Sequence, residues 1–278
     1  MRVVFLTNRQ GNQIALANKI AAKADVAGIV FSRNIPRRAP GFVKRAKLFA
    51  NRVAGRTVGR EFVDAWFEIQ RKYDLQYTDL PTQEIVEVDN VNDPATVETI
   101  ERLSPDLVVV SGTNLVGKRV IEAAKKSKGI VNLHTGISPY VKGGPNCTNW
   151  CLAKNWFHLI GNTVMWLDSG IDTGNIIATE QTPLNGNETL AELHWKVMEH
   201  AHDVYIAAIG KLATGEEVRS VPQASIDPGA HFNSVDWNAF QMRKALNNFQ
   251  QNYRNCFSDP SEHDRRTSEL KLFPIRDV

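Results

Sequence analysis

Apolar and polar positions along this chain repeat as strand, turn, helix and strand. Val3-Val4-Phe5-Leu6 is a short apolar run, ended by a polar, glycine-containing turn at 7–12. A helical pattern covers about 13–24, and 26–31 reads as a second buried strand. The rhythm returns at 84–88, a strand. Asp93-Pro94 then opens a helix that stops before Ser104-Pro105. Proline suits a first helical turn, because the N–H it lacks would have no partner there. Leu107-Val108-Val109-Val110, broken at Gly112, is the uninterrupted apolar run of a strand covered on both faces. A helix over 118–126, strands at 129–133, 159–167 and 175–182, and a long helix over 189–213 complete the series. The alternation predicts an α/β fold: an open, mostly parallel twisted sheet with helices on both faces.

Two stretches depart from it. Within 33–80, Phe42, Ala46, Phe49 and Val53 fall at helical spacing among Lys44, Arg45, Lys47 and Arg52, and a second helix is predicted over about 61–72. The stretch reads as a helical insertion. Its apolar stripe requires cover, and packing on the domain or on a second subunit is expected ahead of a membrane surface. Beyond residue 215, Met242, Leu246, Phe249 and Tyr253 form one helical stripe, and 258–268 is polar and expected to be mobile.

Composition narrows the possibilities. With 278 residues the chain can bury a core without disulfides. Cys147, Cys151 and Cys256 cannot all pair, so a reducing, cytoplasmic location is the default, with Cys147 and Cys151 as ordinary buried residues. No apolar run is long enough to span a membrane, so no stable membrane insertion is expected, and the first apolar run is too short for a signal peptide. A net charge of +3 is too small to imply a nucleic-acid partner. Its distribution is uneven: nine Lys or Arg and no acid lie between Arg33 and Arg60. Arg33, Arg37 and Arg38, nearest a strand end, are the ones expected to meet the phosphates of a bound ligand.

Sites in parallel sheets form beyond the carboxyl ends of the strands. Three such ends carry suggestive residues: the 7–12 turn, whose N–H groups at a helix start can hold an anion; Ser111-Gly112-Thr113-Asn114; and Asn132-Leu133-His134, whose residues 132 and 134 share a strand face. Farther on lies the glycine-spaced acidic loop 168–174. No Gly-x-Gly-x-x-Gly follows the first strand, which argues against a dinucleotide site.

Asn132-Leu133-His134, then Ser138-Pro139-Tyr140-Val141-Lys142-Gly143, then Asp168, Gly170, Asp172 and Gly174 together resemble the formyltransferase family, in order and spacing across about 1–190. That family takes its formyl group from 10-formyltetrahydrofolate and includes glycinamide ribonucleotide transformylases, methionyl-tRNA formyltransferases and sugar-nucleotide N-formyltransferases. The resemblance implies Asn132 as oxyanion donor, His134 as general base and Asp172 as the group that orients His134. It needs no metal. It implies folate contacts through Val109, Val110, Ser111, Gly112, Thr113, Asn114 and Leu115, with Asp168 beside the pterin. Asn8, Arg9, Gly11, Asn12, Ser138, Tyr140 and Lys142 are left for the acceptor. Residues 1–215 then form the catalytic domain and 216–278 an extension of one helix and a polar segment. The extension shows no five-stranded barrel pattern, which argues against tRNA. The 134–146 loop is most like that of the sugar-nucleotide enzymes. A phosphate-bearing small amine is therefore the expected acceptor, with glycinamide ribonucleotide as the alternative, a homodimer as a possible assembly, and a non-catalytic folate- or nucleotide-binding module as the reading from another class.

Overall fold

The computed structural model describes residues 1–144, 146–168, 174–258 and 260–275. Strand β1 (Arg2–Thr7) leads through helix α1 (Gly11–Ala21) to β2 (Asp25–Ser32). Helices α2 (Phe42–Arg56) and α3 (Arg60–Gln76) precede β3 (Ile85–Val88), followed by α4 (Pro94–Leu103), β4 (Leu107–Val110), α5 (Lys118–Ala124) and β5 (Ile130–His134). Then come β6 (Val141–Gly143), α6 (Cys147–Lys154), β7 (Gly161–Trp166), β8 (Ile176–Gln181) and α7 (Leu190–Thr214). The chain ends with β9 (Ala230–Phe232), α8 (Ala239–Asn248), a π-turn (Phe249–Tyr253), α9 (Arg254–Ser258) and α10 (Pro260–Ser268).

Seven strands form one sheet in the order β3-β2-β1-β4-β5-β7-β8. The first five are parallel, β7 runs antiparallel to β5, and β8 antiparallel to β7, which is the α/β architecture expected. One face packs Phe5, Ile29, Val109 and Val131 against α1 and α7, and the other packs Leu6, Val108 and Val110 against α4 and α5. Helix α7 starts on a capping box, in which the Thr189 hydroxyl accepts the Glu192 N–H and the Glu192 carboxylate accepts that of Thr189. From α7 the buried Tyr205 hydroxyl reaches between β4 and β5: it accepts the Val110 N–H at 2.9 Å and donates to the Val131 carbonyl at 2.7 Å.

Three stretches differ from the sequence expectation. Residues 33–80 divide in two. Because β2 and β3 are parallel, a crossover must join them, and α3 is that crossover, burying Phe62, Ala65, Ile69 and Tyr73. Helix α2 buries none of its residues, so its apolar stripe is not packed on the domain as expected. The 134–146 loop contains β6, which pairs in parallel with β9; each strand has three residues, too few to show a period. Residues 258–268, expected to be mobile, include helix α10, held by an Arg265–Glu269 ion pair at 2.5 Å and by His263, whose ring lies 4.9 Å from that of Phe257.

The stretch after residue 215 is fastened down. Glu188, almost fully buried, accepts hydrogen bonds from Lys196 Nζ at 2.6 Å, the Tyr253 hydroxyl at 2.8 Å and the Asn185 and Gly186 N–H groups at 3.1 and 3.0 Å. Burial alone would raise the pKa of this carboxyl, but the hydrogen bonds from Lys196, Tyr253 and the backbone outweigh it and hold it at about 2.

Candidate active site

A cleft of about 590 Å³ opens at the carboxyl ends of β4 and β5. Its floor is Val110 to Val116 and Asn132 to Thr135. Residues two apart on a strand project to one face, so Asn132 and His134 line the cleft together.

The loop after β4 is pinned by asparagines. Gly112 has φ +71°, and a Cβ there would lie 3.0 Å from both Asn8 Nδ2 and Gln13 Nε2. Its carbonyl accepts from Asn8 Nδ2 at 2.7 Å and from Asn34 Nδ2 at 2.9 Å. Asn34 Oδ1 accepts the Asn114 N–H at 2.8 Å, and Asn92 Nδ2 donates to the Leu115 carbonyl at 2.9 Å. These bonds fix the loop main chain before anything binds, which is what a pre-organised site requires.

His134 is held by its neighbours. Its Nε2 lies 3.4 Å from the Val141 carbonyl oxygen and 3.4 Å from the Cys147 thiol. The thiol donates toward the Gly143 carbonyl at 3.5 Å. Cys147 is buried, as expected, yet it is a wall residue of the cleft beside the histidine.

The far wall comes from the C-terminal stretch. Because β9 pairs with β6, His231, Phe232, Asn233 and Ser234 line the cleft. The pairing depends on Gly143, at φ +93°, where a Cβ would lie 2.1 Å from the Phe232 carbonyl oxygen. Trp66 of α3 and Met198 of α7 complete the lining, with Gln10 and Gln13. Apart from Gln10, which lies in the candidate 7–12 turn, none of these was legible as a site residue. The one available signal was the glycine pair at 143–144.

Of the residues assigned from sequence, Asn132, His134, Asn12 and 110–115 line the cleft. Val109 is fully buried behind it, and Asp168 is exposed and outside the lining. Asp172 lies outside the described residues. The residues left for the acceptor mostly point elsewhere. Asn8 is engaged by Gly112. Gly11 faces Asp74 and Gln70 of α3. Asn12, though a cleft residue, is hydrogen-bonded to Gln70 through both N–H and side chain. Arg9 pairs with Glu87 at 3.2 Å and stacks on Phe31, in a smaller groove that also holds Arg33 and Asn34. Arg33 pairs with Glu87 and Asp89, and Arg37 with Asp93, so neither lines the cleft. Ser138 is buried and donates its N–H to Thr163. The Tyr140 hydroxyl accepts the Lys271 N–H, and Lys142 donates to the Pro228 carbonyl. These last two hold the C-terminal stretch in place.

Comparison with known proteins agrees with this geometry. A methionyl-tRNA formyltransferase from Clostridium novyi (strain NT) is 31% identical over 125 residues, which cover 45% of this chain and 39% of that protein. The chain thus spans about two fifths of the length of that curated relative. Among solved structures, glycinamide ribonucleotide transformylase 1 from Symbiobacterium toebii superposes with a TM-score of 0.53 at 19% identity, covering 80% of this chain and 94% of that one. A sugar N-formyltransferase from Shewanella sp FDAARGOS_354 gives a TM-score of 0.54 at 13% identity, covering 88% of each chain. Both share the fold. The sequence profile of the Formyl transferase family matches residues 51–209, more than half of the chain, and the protein belongs to that family.

Proposed function

We propose that the protein is an N-formyltransferase that moves a formyl group from 10-formyltetrahydrofolate to the primary amine of an amino-sugar nucleotide. The observation that carries this reading is that Asn132 and His134 share one cleft with the main chain of 110–115. The cleft suits such a donor: its volume lies within the roughly 300–1,000 Å³ usual for small-molecule sites, and Gly112 adds no side chain to a loop whose peptide groups border the cavity. Residues 110–115 are the ones that hold the folate, which when bound supplies an activated formyl group.

The chain's own groups do the rest. Asn132, in the cleft lining, provides an amide donor for the negative charge that develops in the transition state. His134 takes the proton that the attacking amine must lose, a task suited to a group that titrates near neutrality. The Val141 carbonyl and the Cys147 thiol limit how its ring turns. Asp172 orients His134 in this reading, as the family resemblance implies.

An amino-sugar nucleotide is favoured over glycinamide ribonucleotide because residues beyond 215 build one wall of the cleft. The sugar N-formyltransferase match spans 88% of both chains, whereas the compact transformylase leaves a fifth of this chain unmatched. Methionyl-tRNA ranks below both: the residues after α7 pair with β6 and wall the cleft at the scale of a small acceptor.

The test is a formyl-transfer assay with 10-formyltetrahydrofolate against amino-sugar nucleotides, glycinamide ribonucleotide and methionyl-tRNA. Turnover is expected with the first class. His134→Ala should lower it by about 10²–10⁴-fold and Asn132→Ala by about 10²–10³-fold. Near-wild-type turnover in either variant would overturn the assigned roles. Folate binding by calorimetry without transfer to any amine would make the protein a binding module instead.

A further inference from the structure

Helix α2 is amphipathic and sits inside out. Phe42, Ala46, Phe49 and Val53 recur at i, i+4, i+7 and i+11, which places them on one face. That face points to solvent: Phe42 is 87% exposed, Phe49 69% and Val53 48%. The opposite side holds the helix to the protein. Asn51 Nδ2 donates to the Val235 carbonyl at 3.0 Å, and Gly55 approaches Val63 and Met242. The apolar stripe is bordered along one side by Arg45, Arg52 and Arg56, and Lys44 and Lys47 lie farther round the helix. Among the described residues none of the five has an acidic partner, and the helix contains no acid.

We propose that α2 docks on an anionic lipid surface, with the Phe42–Phe49–Val53 face in the headgroup boundary and Arg45, Arg52 and Arg56 among the lipid phosphates. A helix with an apolar face, a basic polar face and low mean hydropathy is the form such docking takes. Two observations set this occupant above a second copy of the chain. A symmetric contact through this face would bring two cation-bordered stripes together with no acid on either helix, and like charges repel. The face is also small. Fifteen residues make a rod about 22 Å long and about 10 Å wide, a footprint on the order of 200 Å² against about 800 Å² per partner in a stable protein interface. A lipid surface sets no such minimum. The docking is peripheral, since no helix among the described residues is long and apolar enough to cross a membrane. It also orients the cleft: Val235, which anchors Asn51, directly follows the wall residue Ser234. The cleft wall would then stand behind α2, about one helix diameter (roughly 10 Å) from the lipid.

The experiment is co-sedimentation of the full chain with vesicles of phosphatidylcholine and phosphatidylglycerol in equal parts, against phosphatidylcholine alone. Binding is expected only to the anionic vesicles and should weaken as salt rises. Arg45→Gln, Arg52→Gln and Arg56→Gln together should lower the affinity by about 100-fold, at the usual contribution of a basic residue near such a surface. Phe42→Ser with Phe49→Ser should abolish binding. Formyl transfer to a soluble acceptor should survive both sets of substitutions, which separates this docking from the chemistry of the cleft. Absence of wild-type binding to anionic vesicles would overturn the proposal. So would a wild-type dimer in sedimentation velocity that Phe42→Ser with Phe49→Ser turns to monomer, since the face would then be a subunit interface.

Discussion

Helices α2 and α8 carry apolar stripes of the same period and meet opposite fates. In α8, Met242, Ala245 and Leu246 are buried against Trp150, Cys151 and Leu152 of α6. The fit is completed by polar groups. Asn248 Nδ2 donates to the Leu152 and Ala153 carbonyls at 2.9 and 3.1 Å, adding to the Asn155 N–H on Leu152 and supplying a donor to Ala153 at the end of α6. The π-turn that follows brings Tyr253 to Glu188. In α2 the equivalent stripe meets nothing, and it is the polar Asn51 side that is seated. A stripe therefore states that a face needs cover. What supplies the cover depends on residues far away in sequence: α8 has the aromatic and aliphatic bed of α6, and α2 has none.

The difference can be broken from the α8 side first. Leu246→Ala should cost about 2–5 kcal/mol, the usual range for emptying a well-packed leucine site, read as a lower midpoint in urea unfolding. Acid should act next, and on the docked region. His194 is buried edge-on against Phe62, in the same cluster as α8. Burial pushes its pKa down to about 4. In the unfolded chain it binds a proton near pH 6.5, so between pH 6.5 and 4 the unfolded state holds more protons and stability falls as pH falls. The loss should total roughly 3 kcal/mol, fully regained above pH 6.5. The pH dependence of stability across that window should become shallower in His194→Asn, with buried His202, whose pKa burial also lowers, carrying part of what remains. Tyr253→Phe should follow at about 1.5–3 kcal/mol, the range for a hydrogen bond to a charged group, with the largest loss of amide protection in the stretch after residue 230. Phe49→Ser, on the exposed stripe, should change stability by less than about 0.5 kcal/mol. A loss as large as that of Leu246→Ala would mean that α2 is covered within the monomer after all.

Period and punctuation made much of this fold legible. The capping residue Thr189, Pro94 at the start of α4 and the apolar run of β4 each mark an element by local chemistry alone. Asn132 and His134 were legible because strand geometry puts them on one face without reference to anything distant. The rest depends on what folds against what. Arg9 and Arg33 stand at strand ends and resemble ligand-binding cations, but Glu87, which occupies them, lies more than fifty residues away on β3. Asn34 and Asn92 look like turn residues until the loop after β4 is laid between them. Phe232 to Ser234 become a cleft wall only through a three-residue pairing with β6.

The Tyr205 hydroxyl sits where the sheet would otherwise form a direct rung. Val108 donates to the Gly129 carbonyl, and one step on Val110 would donate to Val131; instead the bond runs through the phenol oxygen. Burial pushes the phenol pKa upward, so it stays protonated and keeps donating. The oxygen is thus a spacer one atom wide, set between two strands just below the point where Val110 and Asn132 bound the cleft. In a Tyr205→Phe variant, the orphaned amide and carbonyl could pair only if the strands drew together. The aperture of the site is therefore gauged by a side chain that never enters it, delivered from a helix on a flat face of the sheet.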